Sequence, residues 1–353
     1  PILSGIKLEA LPSGVTLTAS DTDISIQSFI PIQEDEQTIV QLEQPGSGVV
    51  PGRLFTEIIR RMPSDQVEIG VDDHFRISIR SGSSELELVG MDPEEFPLLP
   101  KLEENNTFSV QSEVLKSMIR NTIFAVSTNE SSPILTGILW TLNEQKFRFV
   151  ATDRHRLSTC ERIIAADPQH TLHNIVISGA NLSELQKLLP DQETMIDIVA
   201  ADNQVLFKMG SILFFTRILD GTFPDTSKII PKTFAAEIVV NAKQFTDAME
   251  RAYLLSREEK TKIVKLTSIG DNKIEIFSSL SEIGKITDQV DILRMEGEPI
   301  KISFNSRYML DALKSIDSEN IHIGFTGPMS PFVIRPEDSE ALLHLILPYR
   351  TAN

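Results

Sequence analysis

Asp153, His155 and Ser158 stand close together in VATDRHRLS, residues 150–158, and a carboxylate, an imidazole and a hydroxyl are the groups from which an activated nucleophile is built. Read as a strand, residues 153 and 155 project to one face and 158 to the other, and no glycine-rich elbow surrounds Ser158. A hydrolase using Asp153 and His155 stays open as the alternative to a binding role. The rest of the chain holds no phosphate loop, dinucleotide fingerprint or metal-ligand spacing, so no cofactor or metal is expected. Cys160, the single cysteine, has no second thiol or histidine cluster beside it and reads as a small half-buried side chain rather than a zinc ligand.

The elements that would carry these residues repeat. The stretch from Pro1, PILSGIKLEALPSGVTLTASDTDIS, aligns without a gap to the stretch from Pro133, PILTGILWTLNEQKFRFVATDRHRLS, at an offset of 132. Pro1/Pro133, Ile2/Ile134, Leu3/Leu135, Gly5/Gly137, Ile6/Ile138, Ala19/Ala151 and Asp21/Asp153 are identical; Ser4/Thr136 and Val15/Phe147 are conservative. Both copies alternate apolar residues around a polar turn, as in Val15, Leu17 and Ala19 or Phe147, Phe149 and Ala151, the period of antiparallel strands. A weaker third copy at 262–279 has Gly270, Asp271 and Asn272 as its turn and lacks the Ala-Thr-Asp ending.

Helical stretches separate the hairpins. Residues 53–62 place Leu54, Phe55, Ile58, Ile59 and Met62 at 3–4 spacing before Pro63; 181–190 and 305–316 do the same with Leu182, Leu185, Leu188 and Leu189, and with Tyr308, Met309, Leu310, Leu313 and Ile316. Each precedes a short alternating strand, at 67–69, 195–198 and 321–323. Helices at 111–127 and 241–256 open the second and third copies, while the first copy lacks this opening helix. Glu95-Phe96-Pro97 and Thr222-Phe223-Pro224 close the first two units at an offset of 127, which places the units at 1–102, 103–230 and 231–353. The fold class that follows is α+β, three repeated domains, each with two helices packed on antiparallel sheets.

A chain of 353 residues, 41% apolar, suffices for two or three such cores. No window approaches the roughly 18 apolar residues of a membrane span, and residues 1–5 lack a charged signal-peptide start, so a cytoplasmic protein with no membrane partner is expected. The net charge of −17 argues against nucleic acid, whose binding is driven by Lys and Arg displacing counterions. Its distribution argues otherwise: segments 51–62, 112–121, 179–190, 241–252 and 305–316 hold ten basic and six acidic residues, leaving −21 elsewhere. Basic helices can present one positive face to DNA, or simply be solvated.

Three repeated α+β units, VATDRHRLS at 150–158, GTFPD at 221–225, FNSRYML at 304–310 and a terminal LILPYRTAN at 345–353 together make the chain resemble the bacterial DNA sliding clamps, over its whole length. The resemblance implies a non-catalytic processivity subunit of DNA polymerase III, a head-to-tail homodimer closing a ring of six domains around duplex DNA, helices inside and sheets outside. It also implies an opening helix and strand ahead of Pro1, so an N-terminally truncated chain is expected. Arg60 matches a DNA-contacting position of the family, with Arg61, Arg120 and Lys187 as further candidates; a solvated helix charge is the alternative for each. Leu86 and Leu88 match an edge strand that pairs with the third domain of a second copy near Leu254 and Leu255, core burial being the alternative.

The resemblance further implies a pocket that takes short peptide motifs of polymerases, the clamp loader and repair proteins. Its wall from the second unit is Leu135, Thr152, Arg154, His155, Arg156, Leu157, Pro224 and Ile229; the third unit contributes Asn305, Tyr308, Met329, Leu345, Ile346, Leu347, Pro348, Tyr349 and Arg350. An apolar trough rimmed by polar groups suits leucine and aromatic anchors. The family usually carries a small residue where Arg154 stands, which adds charge beside the pocket.

Overall fold

The computed structural model describes residues 2–103, 107–270, 272–280 and 283–350. Pro1 of the first repeat, Asp271 of the third hairpin's turn and residues 351–353 of the terminal run lie outside them. The chain divides into two compact units, Pro1–Ser112 with Leu189–Ile218, and Glu113–Leu188 with Leu219–Asn353.

The first unit is built on an eight-stranded antiparallel sheet, in the order Thr107–Gln111, Met195–Ala200, Gln204–Met209, Ile212–Arg217, Ile24–Pro31, Gly14–Ser20, Gly5–Leu11 and Gly46–Pro51. A three-stranded sheet, Glu68–Val71, Arg76–Ser81 and Ser84–Val89, lies in the same unit. Helix α1, Gly52–Ile59, sets Phe55, Ile58 and Ile59 against Leu8, Val50, Ile77 and Ile79, as its 3–4 spacing predicts. Leu54, assigned to the same face, is 48% exposed.

The second unit holds a twelve-stranded antiparallel sheet. Its order is Leu172–Ser178, Gly137–Asn143, Lys146–Thr152, Arg156–Ile163, Leu342–Ile346, Phe332–Pro336, Asn320–Phe325, Ala236–Asn241, Gly284–Gly297, Lys273–Leu280, Ile263–Ile269 and Lys301–Asn305. Four helices accompany it: α2 Ser112–Thr122, α3 Gly179–Leu188, α4 Ala242–Ser256 and α5 Ser306–Ser315. Asparagines start the last two, the Asn241 and Asn305 side chains accepting from the backbone N–H of Gln244 and Arg307. Phe245, Ala248, Met249 and Ala252 of α4 and Met309, Leu310 and Leu313 of α5 enter one core with the sheet.

The α+β reading of three repeated domains holds, but the sheets do not stop where the repeats do. The second repeat gives its four strands at 137–178 to the sheet of the third and its strands at 107–111 and 195–217 to the sheet of the first. Helix α2 also ends earlier than the predicted 127, at Thr122, whose hydroxyl donates to the carbonyl of Met118, and passes into the single turn Ile123–Ala125.

The repeated glycines have a steric cause. A Cβ on Gly137 would stand 2.7 Å from the Val176 side chain and 2.8 Å from the Ile177 carbonyl. One on Gly5 would meet the Val49 side chain and, at 3.0 Å, the Val50 carbonyl. In both copies the neighbouring strand crosses too close for any side chain. Gly137→Ala is expected to destabilise the fold by about 1–3 kcal/mol, seen as a lower urea midpoint at unchanged m-value.

Candidate functional site

The candidate site begins at the hairpin joining Lys146–Thr152 to Arg156–Ile163. Residues 153–155 form its turn rather than a strand: Asp153 Oδ1 accepts from the N–H of His155 at 2.9 Å and of Arg156 at 3.0 Å, while the Thr152 hydroxyl donates to the Arg156 carbonyl at 2.7 Å. Asp21 builds the same turn in the first copy, accepting from the N–H of Asp23 and Ile24 at 2.7 and 2.8 Å. The repeated aspartate is thus a turn former twice; what differs is its cargo, Thr22, Asp23 and Ile24 in one copy and Arg154, His155 and Arg156 in the other.

The C-terminal run joins this turn. Leu342–Ile346 pairs antiparallel with Arg156–Ile163, setting Leu157 opposite Leu345 and Arg156 opposite Ile346. Beyond the strand, Leu347 N–H donates to the His155 carbonyl at 2.9 Å and Tyr349 N–H to the Ser303 carbonyl at 2.7 Å. Beneath lies an apolar cluster of Leu135, Val150, Leu157, Val176, Phe223, Val333 and Leu345. Around it Ile229, Met329, Leu347 and Tyr349 remain exposed, by 47, 51, 38 and 42%. Pro224 is exposed next to buried Phe223, and Pro348 is half-buried between Leu347 and Tyr349. A neighbouring cleft of about 550 Å³, lined by Ile229, Lys232, Phe234 and Pro331 among others, shares Ile229 with this surface.

A charge chain, half-buried at Arg156, Asp153 and Asp311 and exposed at Arg307, fixes the wall. Arg156 donates from Nε to Asp153 Oδ2 at 3.0 Å and from Nη1 to Asp311 Oδ2 at 2.7 Å, and Arg307 Nε stands 2.9 Å from Asp311 Oδ1. The Arg156 guanidinium also lies 4.4 Å from the Tyr308 ring centre and 5.6 Å from that of Phe124. Burial, with the Asp153 charge adding, pushes the Tyr308 hydroxyl above its ordinary pKa, so it stays a neutral donor. The His155 ring lies roughly parallel to Tyr308 at 6.4 Å. Asn305 is occupied as the α5 cap, its amide also donating to the Thr261 carbonyl.

This geometry corrects the hydrolase alternative. Both Asp153 oxygens are taken by the turn and Arg156, His155 lies beside Tyr308, and Ser158 is fully buried with its hydroxyl donating to the Asn121 carbonyl. Cys160 is also fully buried rather than half-buried, and burial pushes its thiol up to about 12, so no thiolate is at hand.

The remaining candidates lie on exposed elements. Arg60 is the C-terminal cap of α1 and Arg61 lies just past it, since Pro63 allows no further turn, where 53–62 was expected as helix. Arg61 pairs with Glu57 at 3.6 Å and Lys187 with Glu184 at 2.7 Å; Arg60 and Arg120 are exposed and have no acidic partner among the described residues. Leu86 is exposed on the edge strand Ser84–Val89, whereas Leu88 packs on the cluster around Ile77 and Ile79. Leu254 is 55% exposed on α4 and Leu255 half-buried. Sequence reading missed Asp311, Phe124 and Ser132; only the Arg307–Asp311 spacing on α5 hinted at a charge pair.

Models of the DNA polymerase III beta subunit match the chain in tandem, the N-terminal domain over residues 1–100, the central domain over 109–225 and the C-terminal domain over 227–350. The beta sliding clamp of Halalkalibacterium halodurans is 46% identical over 352 residues, covering 99% of this chain and 93% of that one. That of Bacillus subtilis is 45% identical over 351 residues with the same coverage. The crystal structure of the DNA polymerase sliding clamp from Bacillus subtilis superimposes with a TM-score of 0.97 at 45% identity, covering 100% of this chain and 92% of that one. The beta subunit from DNA polymerase of Streptococcus pyogenes gives a TM-score of 0.93 at 34% identity, covering 99 and 93%.

His344, buried on the terminal strand, sits behind the charge chain with Nε2 2.8 Å from the Ser315 hydroxyl and its ring against Phe124. Burial, with Arg156 adding, pushes its pKa down to about 3. The folded ring is therefore neutral, while the unfolded chain takes up a proton below about pH 6.5, so stability falls as pH drops from there toward 3. Relative to His344→Gln, the wild type is expected to lose roughly 2 kcal/mol between about pH 7 and 5 in urea titrations.

Proposed function

Because the chain belongs to the beta sliding clamp family of DNA polymerase III beta subunits, we propose that it is a DNA polymerase processivity factor that encircles duplex DNA and tethers its partners by short peptides. Two copies join head to tail, and their six repeated units, bounded near residues 102 and 230 in each chain, close a ring. A body that must slide cannot grip bases, so it meets phosphates through scattered cations. Arg60 and Arg120, unpaired by carboxylates among the described residues, serve first; Arg61 and Lys187 exchange their surface ion pairs for phosphate at little cost. The edge strand Ser84–Val89, with Leu86 outermost and Leu88 behind it, meets Leu254 and Leu255 of the partner subunit. The protein acts in the cytoplasm and catalyses nothing itself.

One observation carries the peptide-binding reading: the turn of the second repeat and the C-terminal run are fastened into one sheet over an apolar floor, with Ile229, Met329, Leu347 and Tyr349 left exposed around it. Polymerases, the clamp loader and repair proteins would lay leucine and aromatic anchors there. The wall is Leu135, Thr152, Arg154, His155, Arg156, Leu157 and Pro224 on one side and Asn305, Tyr308, Leu345, Ile346, Pro348 and Arg350 on the other. Covering a half-exposed apolar side chain contributes about 1 kcal/mol.

Leu347→Ala with Tyr349→Ala is therefore expected to weaken a peptide carrying leucine and phenylalanine anchors by at least about tenfold, measured by fluorescence anisotropy; unchanged affinity would reject the pocket. The ring is tested on DNA topology. The protein, loaded by its clamp loader, is expected to stay on nicked circular DNA through gel filtration and to be lost when the circle is linearised. Leu254→Lys with Leu255→Lys should sediment as a monomer and be lost from circles too, because an unpaired ammonium resists burial. Failure to load on circular as well as linear DNA would favour a DNA-free scaffold, the reading an acidic chain invites.

A further inference from the structure

Arg154 has a backbone that its position in the repeat does not require. It lies at φ +75°, in the left-handed region that costs a residue with a Cβ on the order of 1 kcal/mol, whereas Thr22, its counterpart in the first copy, does not. Its N–H is held by the Thr152 hydroxyl at 3.2 Å, and its guanidinium reaches across to donate from Nη2 to the Ser132 hydroxyl at 3.0 Å. The side chain is thus exposed yet tethered at both ends.

Its charge is unanswered. Asp153, the adjacent carboxylate, is committed to the turn and to Arg156; Asp225 accepts from Ser227 and stands 4.0 Å from Lys228. No carboxylate among the described residues pairs with Arg154, nor with exposed Arg350, which follows Tyr349 in the C-terminal run. A chain of net charge −17 therefore carries two unpaired cations on the segments that also hold its exposed apolar side chains, Arg154 in the turn and Arg350 just past Tyr349. Strained, solvent-facing and unpaired groups of this kind belong to binding surfaces.

We propose that Arg154 is a specificity-determining residue of the peptide site, selecting segments that carry an aspartate or glutamate beside their apolar anchors. The proposal rests on the peptide-site reading above. Most of the guanidinium's donors are free to meet a carboxylate, and a charge-assisted hydrogen bond at the edge of an apolar trough outlasts one in open water. Because Arg154 is exposed, the expected preference is modest, about fivefold, and screened by salt.

Two labelled decapeptides with the same leucine and phenylalanine anchors, differing only in an aspartate or an asparagine beside them, are titrated against the full chain at low ionic strength. The wild type is expected to bind the aspartate peptide about fivefold more tightly, a ratio that collapses at about 0.5 M salt. Arg154→Gly, which suits the left-handed turn, should bring the ratio within about twofold, Arg154→Lys should keep part of it, and Arg154→Glu should invert it. Equal affinities in the wild type, or a full preference surviving Arg154→Gly, overturn the proposal. Leu347→Ala with Tyr349→Ala separates it from the underlying reading. If both peptides weaken in that variant while the wild type does not distinguish them, the site stands and the role of Arg154 falls. If neither weakens, the site reading fails and the proposal with it.

Discussion

Everything assembled at the candidate site depends on one strand pairing, that of Arg156–Ile163 with Leu342–Ile346. The two segments are far apart in the chain, so their pairing closes a long loop, an entropic cost that grows only slowly with length. What offsets it is continuity. The partner strands on either side are already paired, so the junction converts two open sheet edges into the interior of a twelve-stranded sheet. It also buries Leu157 against Leu345 above Phe223 and Val333. Once made, it leaves the last residues of the described chain, Leu347 to Arg350, nowhere to run except across the hairpin turn, where the His155 carbonyl takes the Leu347 N–H.

The repeats show how one local design is kept while its use changes. An aspartate accepting two backbone N–H groups makes a turn whatever follows it, which explains why Asp21 and Asp153 occupy equivalent places with unrelated neighbours. Gly5 and Gly137 persist for an equally local reason, the close crossing of the next strand. The second copy adds Arg156, which joins the turn to α5 through Asp311 and so ties a feature of the second repeat to a helix of the third. Removing either carboxylate would leave a mostly buried guanidinium with half its compensation, so the triad is more costly to break than to have built.

The sequence was most legible where physics acts over a few residues. The hairpins follow from alternation, the α4 and α5 starts from Asn241 and Asn305, and the end of α1 from Pro63. Of the apolar positions spaced along 53–62, Phe55 is buried and Ile58, Ile59 and Met62 pack half-buried on the same cluster, whereas Leu54 is exposed. What could not be read was long-range: nothing in the spacing says that the second repeat divides its strands between two sheets, or that Arg156 finds a partner 155 residues away. Placing Asp153 and His155 on a strand failed because the turn begins one residue after Thr152. Only resemblance, not periodicity, linked the second-repeat turn to the C-terminal run.

The electrostatics suit this surface to binding rather than to reaction. A general base must be oriented and a nucleophile needs access; the exposed His155 has no free carboxylate to orient it, and the nearby hydroxyl and thiol are interior. Asp153 is saturated, Ser158 and Cys160 are interior, His344 is neutral behind the wall, and Arg156 is held between two carboxylates and an aromatic face. Committing most of these groups holds the wall in place, and a preorganised wall would favour a peptide that orders itself without also having to order the protein. Among the described residues, the surface around the site leaves apolar side chains half in water and a few cations without carboxylates. Such a remainder would suit an extended segment with hydrophobic anchors, and under the peptide-site proposal different partners would share it by matching only the few groups that the fold has left unpaired.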